Sequence, residues 1–177
     1  GEDTLSLHDA LPIFVNVEVI TMTSSGTTLN LSNQDDNFAI NGSSGNDTII
    51  AGTGNSTLTS GNGDDSVVLG GGNDIVSVGE GNDTVVMGTT LTVLDTIDGG
   101  NGTDVLRFTD NNGASNDLNN VTNVETIVLG AAVTNVTTCF NYAQGSSRVS
   151  SSGTGPNGVA LQTAFGEQNL GFMAISL

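Results

Sequence analysis

Between Gly42 and Val86 the chain repeats itself every nine residues without a gap, as GSSGNDTII, AGTGNSTLT, SGNGDDSVV, LGGGNDIVS and VGEGNDTVV. So short and strict a period leaves few folds open, because each unit buries its apolar side only against its neighbours in a stack. Three residues, Met87–Thr89, break the phase. Two more copies follow: TLTVLDTID, which has lost its glycines, and GGNGTDVLR, which ends at Arg107. The eighth position reads Ile49, Leu58, Val67, Val76, Val85, Ile97 and Leu106, aliphatic in every copy. The sixth reads Asp47, Ser56, Asp65, Asp74, Asp83, Asp95 and Asp104.

Glycine at the second and fourth positions tolerates positive φ and close backbone approach. The first six residues of a unit therefore form a tight turn whose carbonyls are free to point outward. The last three are strand formers with one aliphatic side chain directed inward. Two units make one revolution of a flattened coil with two parallel sheets, and successive revolutions stack at about 4.8 Å. The expected fold is all-β: a parallel β-roll, a β-helix-like solenoid, flanked by short strand modules. It places Asp47, Asp65, Asp83 and Asp104 in one column and Ser56, Asp74 and Asp95 in the opposite one.

Such columns need a counter-charge, since two carboxylates about 5 Å apart at an effective dielectric near 20 repel by about 3 kcal/mol. The chain supplies almost none, with 19 acidic residues against 2 basic ones and a formal net charge of -17. That balance argues against nucleic acid or an anionic membrane surface as partner, because phosphate contacts need Lys and Arg. It calls for a cation. A hard divalent ion between consecutive turns of one flank would take oxygen from both aspartates and from the turn carbonyls. Ca2+ suits this because it accepts six to eight oxygens at flexible angles, whereas magnesium holds to an octahedron and keeps its waters. Zinc is disfavoured, as the repeats hold no cysteine or histidine. With aromatics at only 4%, the core is thin, so folding is expected to be coupled to metal binding.

The units resemble the repeats-in-toxin (RTX) family, the hemolysin-type calcium-binding repeat, whose nonapeptide is G-G-x-G-x-D-x-U-x with U a large aliphatic. The resemblance covers Gly42 to Arg107, a little over a third of the chain. It implies calcium held in the turns and folding after export into a calcium-rich exterior. It also implies passage through a bacterial type I secretion machinery without a cleaved leader, and hence a secreted, extracellular or cell-surface location. Family ligands carry over onto Asp47, Asp65, Asp74, Asp83 and Asp104, with turn carbonyls at Gly45, Gly63, Gly72, Gly81 and Gly102. Asp95 matches only through its DTID tail and is expected to bind weakly. Ser56 departs outright, so its site is expected to be weak or empty. Glu80, Asp64 and the asparagines at the fifth positions are expected to tune the field around the ions.

Outside the repeats, Asn16–Met22 (NVEVITM) echoes Asn123–Leu129 (NVETIVL), and both alternate as strands do. The recurrence points to tandem modules of one parent chain. It is loosely similar to segments that flank such rolls in bacterial adhesins and surface-layer proteins. Glu18 and Glu125 within it are expected to be exposed strand carboxylates, the alternative being that they ligate a further ion. The expected layout begins with residues 1–13, where TLSLHDALPI resembles a translated sequencing adapter and is set aside as an artefact. Residues 14–41 would end a preceding strand module and cap the roll, which spans 42–107. A flanking strand module would occupy 108–143, and a Ser/Gly linker with a C-terminal β or export segment 144–177.

The resulting reading is a calcium-binding structural module of a secreted or cell-surface bacterial protein, and not an enzyme. The alternative is the C-terminal RTX roll of a secreted protease, lipase or polysaccharide-modifying enzyme whose catalytic domain is absent from this fragment. The sequence holds neither H-E-x-x-H nor G-x-S-x-G, and its one histidine, His8, sits in the adapter-like stretch. A single cysteine, Cys139, excludes an internal disulfide. No apolar run approaches a membrane span, so membrane insertion is not expected.

Overall fold

The computed structural model describes residues 4–6, 18–108, 118, 120–129, 135–138, 148–151 and 173–176. His8, Cys139 and most of the adapter-like and Ser/Gly-rich stretches lie outside them. The regular elements of the described residues are strands alone. They are β1 (Thr4–Ser6), β2 (Val19–Thr21), β3 (Thr28–Asn30), β4 (Ala39–Asn41), β5 (Thr48–Ile50), β6 (Thr57–Asn62), β7 (Ser66–Val68) and β8 (Ile75–Glu80). Then follow β9 (Thr84–Gly88), β10 (Thr96–Asp98), β11 (Val105–Phe108), β12 (Val121–Thr122), β13 (Thr126–Leu129), β14 (Asn135–Thr138), β15 (Arg148–Ser151) and β16 (Met173–Ser176).

Alternate strands go to opposite sheets, as a two-unit revolution requires. One sheet has 8 strands in the order β1-β3-β5-β7-β9-β11-β13-β15, and the other has 6 in the order β12-β10-β8-β6-β4-β2. Every pairing within these two sheets is parallel, while β14 and β16 form a separate antiparallel pair. The chain is thus an all-β parallel β-roll. Inside the tandem block one revolution is 18 residues, so Thr48 pairs with Ser66 and Ser66 with Thr84. The three-residue interruption is absorbed at the end of β9 and just beyond it, and it lengthens the step: Ile75 meets Thr96, and Thr84 meets Val105. Gly88 turns there with φ 57, and the hydroxyl of Thr90 donates back to the carbonyl of Met87 at 2.5 Å.

Parallel pairing continues on both sides of the nonapeptides. β2 and β4 pair in register Ile20↔Ile40, and β4 carries on into β6. At the other end β13, the NVETIVL strand, pairs with β11 through Ile127↔Leu106. Both N-V-E-x-I strands are therefore rungs of the two repeat sheets, differing from the nonapeptides in the length of chain between rungs.

The seven eighth-position aliphatics all lie in the core with 1 % exposure or less. The first position of the unit also faces in, which the sequence reading did not anticipate: Ala51, Leu69 and Val78 are buried, as is Ser60, and Met87 at the start of the interruption is buried as well. The buried Ser60 hydroxyl is satisfied by donating to the carbonyl of Val78 at 2.7 Å. Two inward side chains per nine residues, stacked on their counterparts above and below, make the narrow apolar strip that holds the sheets together.

Candidate metal centre

The sixth-position side chains form two columns at the mouths of the strands. Asp47, Asp65, Asp74, Asp83, Asp95 and Asp104 are all buried, none more than 3 % exposed. Six carboxylates in so protected a setting require strong local acceptance or neutralisation. Part of it comes from the backbone. In each turn the Oδ1 of the aspartate accepts the amide N–H of the sixth-position residue one revolution earlier: Asp65 from Asp47 (2.8 Å), Asp83 from Asp65 (2.7 Å) and Asp104 from Asp83 (2.8 Å). On the opposite flank Asp74 accepts from Ser56 and Asp95 from Asp74, both at 2.8 Å.

The fifth-position residues run the other way. Asn46 Oδ1 accepts the amide of Asp64, Asp64 Oδ1 that of Asn82, and Asn82 Oδ1 that of Thr103. Asn37 and Asn55 do the same for Asn55 and Asn73 across the molecule. Each turn is thus tied backward by its aspartate and forward by its neighbour. That accounts for the Oδ1 atoms of the Asn-Asp pair without any ion.

The second carboxylate oxygens divide the aspartates into two sets. Among the described residues, Oδ2 of Asp65, Asp74, Asp83 and Asp104 is buried with no hydrogen-bond partner, and so is the hydroxyl oxygen of Ser56. Burial pushes the Asp74 carboxyl up to about 6; the Ser56 amide counters it, and the Asp95 charge adds to the rise. Burial likewise pushes Asp83 up to about 6, with the Asp65 amide opposing and the charges of Asp104, Asp65 and Asp64 reinforcing. Asp65 and Asp104 are raised for the same leading reason; the Asp47 amide and the nearby Ser60 hydroxyl oppose it at Asp65, and Glu125 and Asp98 add repulsion at Asp104. In Asp47 burial is outweighed by four hydrogen bonds from Thr27 and Ser43, and its carboxyl is held below the usual range.

The bare oxygens fit a hard cation: they are anionic and buried, and those of Asp65, Asp83 and Asp104 are spaced one revolution apart. Among the described residues no three His, Cys, Asp or Glu side chains converge. The rest of an oxygen shell would therefore be backbone carbonyl, in keeping with Ca2+ and not with zinc. The glycines permit the tight stacking this needs. Gly63, Gly72, Gly81 and Gly102 lie in the left-handed region, at φ 112, 104, 137 and 141. At Gly81 and Gly102 a Cβ would collide with the carbonyl oxygen of the glycine one revolution before. Gly45 is different: it has no left-handed φ, and a Cβ there would meet the Ser25 side chain.

Glu125 belongs to the first column. Its Oε2 accepts the Asp104 amide at 2.6 Å, the bond an aspartate makes in every earlier turn, and it is half-buried. The signal was present: Glu125-Thr126-Ile127 has the acid, spacer and aliphatic of Asp104-Val105-Leu106. Glu125 is thus not the exposed strand carboxylate expected of it, because it takes the column's place beside Asp104. Gln34 was missed. It is buried, and neither atom of its side-chain amide has a partner among the described residues.

A family model described as the RTX calcium-binding nonapeptide repeat, in 4 copies, matches residues 41–76, 57–85 and 95–112. The comparisons with curated proteins and with solved structures gave no match.

Proposed function

We propose that this chain, which carries RTX calcium-binding nonapeptide repeats, is a structural segment of a secreted or surface-attached bacterial protein that becomes rigid only in a calcium-rich exterior. The roll itself is a calcium-binding scaffold. One observation carries the reading: four buried carboxylate oxygens, on Asp65, Asp74, Asp83 and Asp104, lack any partner among the described residues. Calcium supplies the hard positive charge that such oxygens lack. The chain's own residues do the rest. Backbone amides fix one oxygen of each carboxylate, the stacked glycines bring carbonyls close, and the apolar strip sets the spacing between revolutions. Among the described residues there is no helix long and apolar enough to cross a membrane. Passage by a type I route and a place in a tandem surface array are parts of the same proposal, supported by the repeat family and by the second N-V-E-x-I strand.

The test is far-UV circular dichroism of the chain at neutral pH. Millimolar calcium should convert a largely unordered spectrum into a strand spectrum, a chelator should reverse it, and magnesium should not substitute. A strand spectrum indifferent to calcium would end the proposal.

A further inference from the structure

Asp47 and Asp95 stand in the same columns as the bare carboxylates, yet neither has a bare oxygen. Asp47 Oδ1 accepts the amide (2.8 Å) and the hydroxyl (3.2 Å) of Thr27, and Oδ2 accepts the amide (2.8 Å) and the hydroxyl (2.7 Å) of Ser43. Asp95 Oδ1 accepts the Asp74 amide, and Oδ2 accepts the amide (2.7 Å) and the hydroxyl (3.1 Å) of Thr92. In both cases an N–H and an O–H from one residue, three or four positions earlier, converge on the oxygen that is orphaned elsewhere.

Sequence explains why this occurs at two turns only. Ser43 occupies the second position of its unit, where Gly61, Gly79 and Gly100 stand in the revolutions stacked on it. Those glycines take φ values of 115, 101 and 83, whereas Ser43 has no left-handed φ. A serine with ordinary φ turns its amide and its hydroxyl together onto its own aspartate. Glycine has no hydroxyl to offer: Asp65, Asp83 and Asp104 keep an empty Oδ2, and so does Asp74, whose second-position Gly70 has no left-handed φ, so the hydroxyl is the common difference. The Ser60 hydroxyl lies beside Asp65 but donates to the carbonyl of Val78. Thr92 does the corresponding work in the unit that lost its glycines. The two closures fall at opposite ends: Asp47 is the first acid of its column, and Asp95 is the last of the other.

We propose that Ser43 and Thr92 stand in for the cation at Asp47 and Asp95, so that calcium is confined to the turns of Asp65, Asp74, Asp83 and Asp104. The inference rests on the calcium reading above and narrows it. It turns one end of each acid column, Asp47 in the first and Asp95 in the second, into a hydroxyl-closed cap that orders itself without an ion. It also limits the ions to the interior of the stack.

The experiment counts calcium bound per full-length chain at saturation, by equilibrium dialysis with isothermal titration alongside, for the wild type and three variants. D47N should bind as many ions as the wild type, D83N at least one fewer, and S43G one more, because glycine removes the hydroxyl and admits the left-handed φ of Gly61, Gly79 and Gly100, which turns the amide off Oδ2. Circular dichroism at the same calcium concentration reports folding. Should D47N fail to fold, S43G decides: one extra ion supports the assignment, and an unchanged count overturns it. Loss of an ion from folded D47N overturns it too, as does a D83N chain that keeps its full complement. In each of these the calcium reading stands as long as the wild type binds. A wild type that binds no calcium would overturn both.

Discussion

One flank of the solenoid presents an acid at every revolution from Asp47 through Asp65, Asp83 and Asp104 to Glu125. The other starts with Glu18, passes through Phe38 and Ser56, and regains aspartate at Asp74 and Asp95. The backbone does not register the difference. Thr57 donates to the carbonyl of Phe38 at 2.9 Å just as Ser66 does to that of Asp47, also at 2.9 Å. Strand register and stacking are therefore independent of what stands at the sixth position. What changes is the solvation of the turn. Where the residue is Phe38 the side chain joins the apolar core at 2 % exposure, and where it is aspartate the turn must find an acceptor's complement for a buried charge. One architecture is thus stabilised by hydrocarbon at one corner and by charge compensation over the rest.

The comparison breaks hardest at Phe38. Replacing it with alanine should destabilise the calcium-saturated chain by about 3–5 kcal/mol, the usual cost of emptying a buried aromatic site. Calcium stoichiometry should be unchanged. Chemical denaturation at saturating calcium, with ion counting alongside, checks both; a lost ion would mean that this corner is not independent of the charged one.

Acid should act on the other corners. The Asp74 and Asp83 carboxyls are raised to about 6 in the fold, so between the ordinary carboxylate range and pH 6 the folded chain binds more protons than the unfolded one. Calcium-free stability must then fall as pH rises through that window and be greatest near pH 4. Calcium must displace those protons, and its affinity should weaken about tenfold per carboxylate for each pH unit below 6. Calcium titrations at pH 7, 6 and 5 followed by circular dichroism decide it, and a pH-independent midpoint contradicts the assignment of raised carboxyls.

Ser56→Asp sharpens the comparison by making the second flank resemble the first. Its amide is already held by Asp74 Oδ1 at 2.8 Å, and its hydroxyl oxygen is already bare. An added carboxylate should lower the calcium midpoint severalfold while making the calcium-free chain less stable, because a second charge enters beside Asp74. An unchanged midpoint would show that this position does not face an ion.

The repeat period made the solenoid, its two sheets and the membership of both columns readable in advance. Local periodicity dictates all three, and Ile49, Val67, Val85 and Leu106 could point nowhere but inward. The rungs beyond the repeats were harder to see. Val105↔Thr126 and Thr28↔Thr48 keep the register across connections of other lengths, so a fixed window misses them. Glu125 was legible only by allowing glutamate for aspartate. The hydroxyl closures at Asp47 and Asp95 were not legible at all. They depend on how a single turn residue, Ser43 or Thr92, aims its amide and hydroxyl, and a serine among glycines in GSSGND reads as an ordinary loop substitution.

The smallest effect separates the two jobs of the fifth position. Asn55 Oδ1 accepts the Asn73 amide at 2.8 Å on the exposed rim, so Asn55→Ala should cost no more than about 1 kcal/mol, since water can replace the lost acceptor. Asp64 makes the corresponding bond to the Asn82 amide at 2.7 Å, but its charge also raises Asp65 and Asp83. Asp64→Asn keeps the acceptor and removes that charge. It should therefore stabilise the calcium-free chain slightly and raise the calcium midpoint by less than about twofold, because an exposed charge is largely screened. Equal shifts from Asn55→Ala and Asp64→Asn, measured as calcium midpoints at low and at physiological salt, would reduce the fifth position to a hydrogen-bonding rung with no part in setting the field.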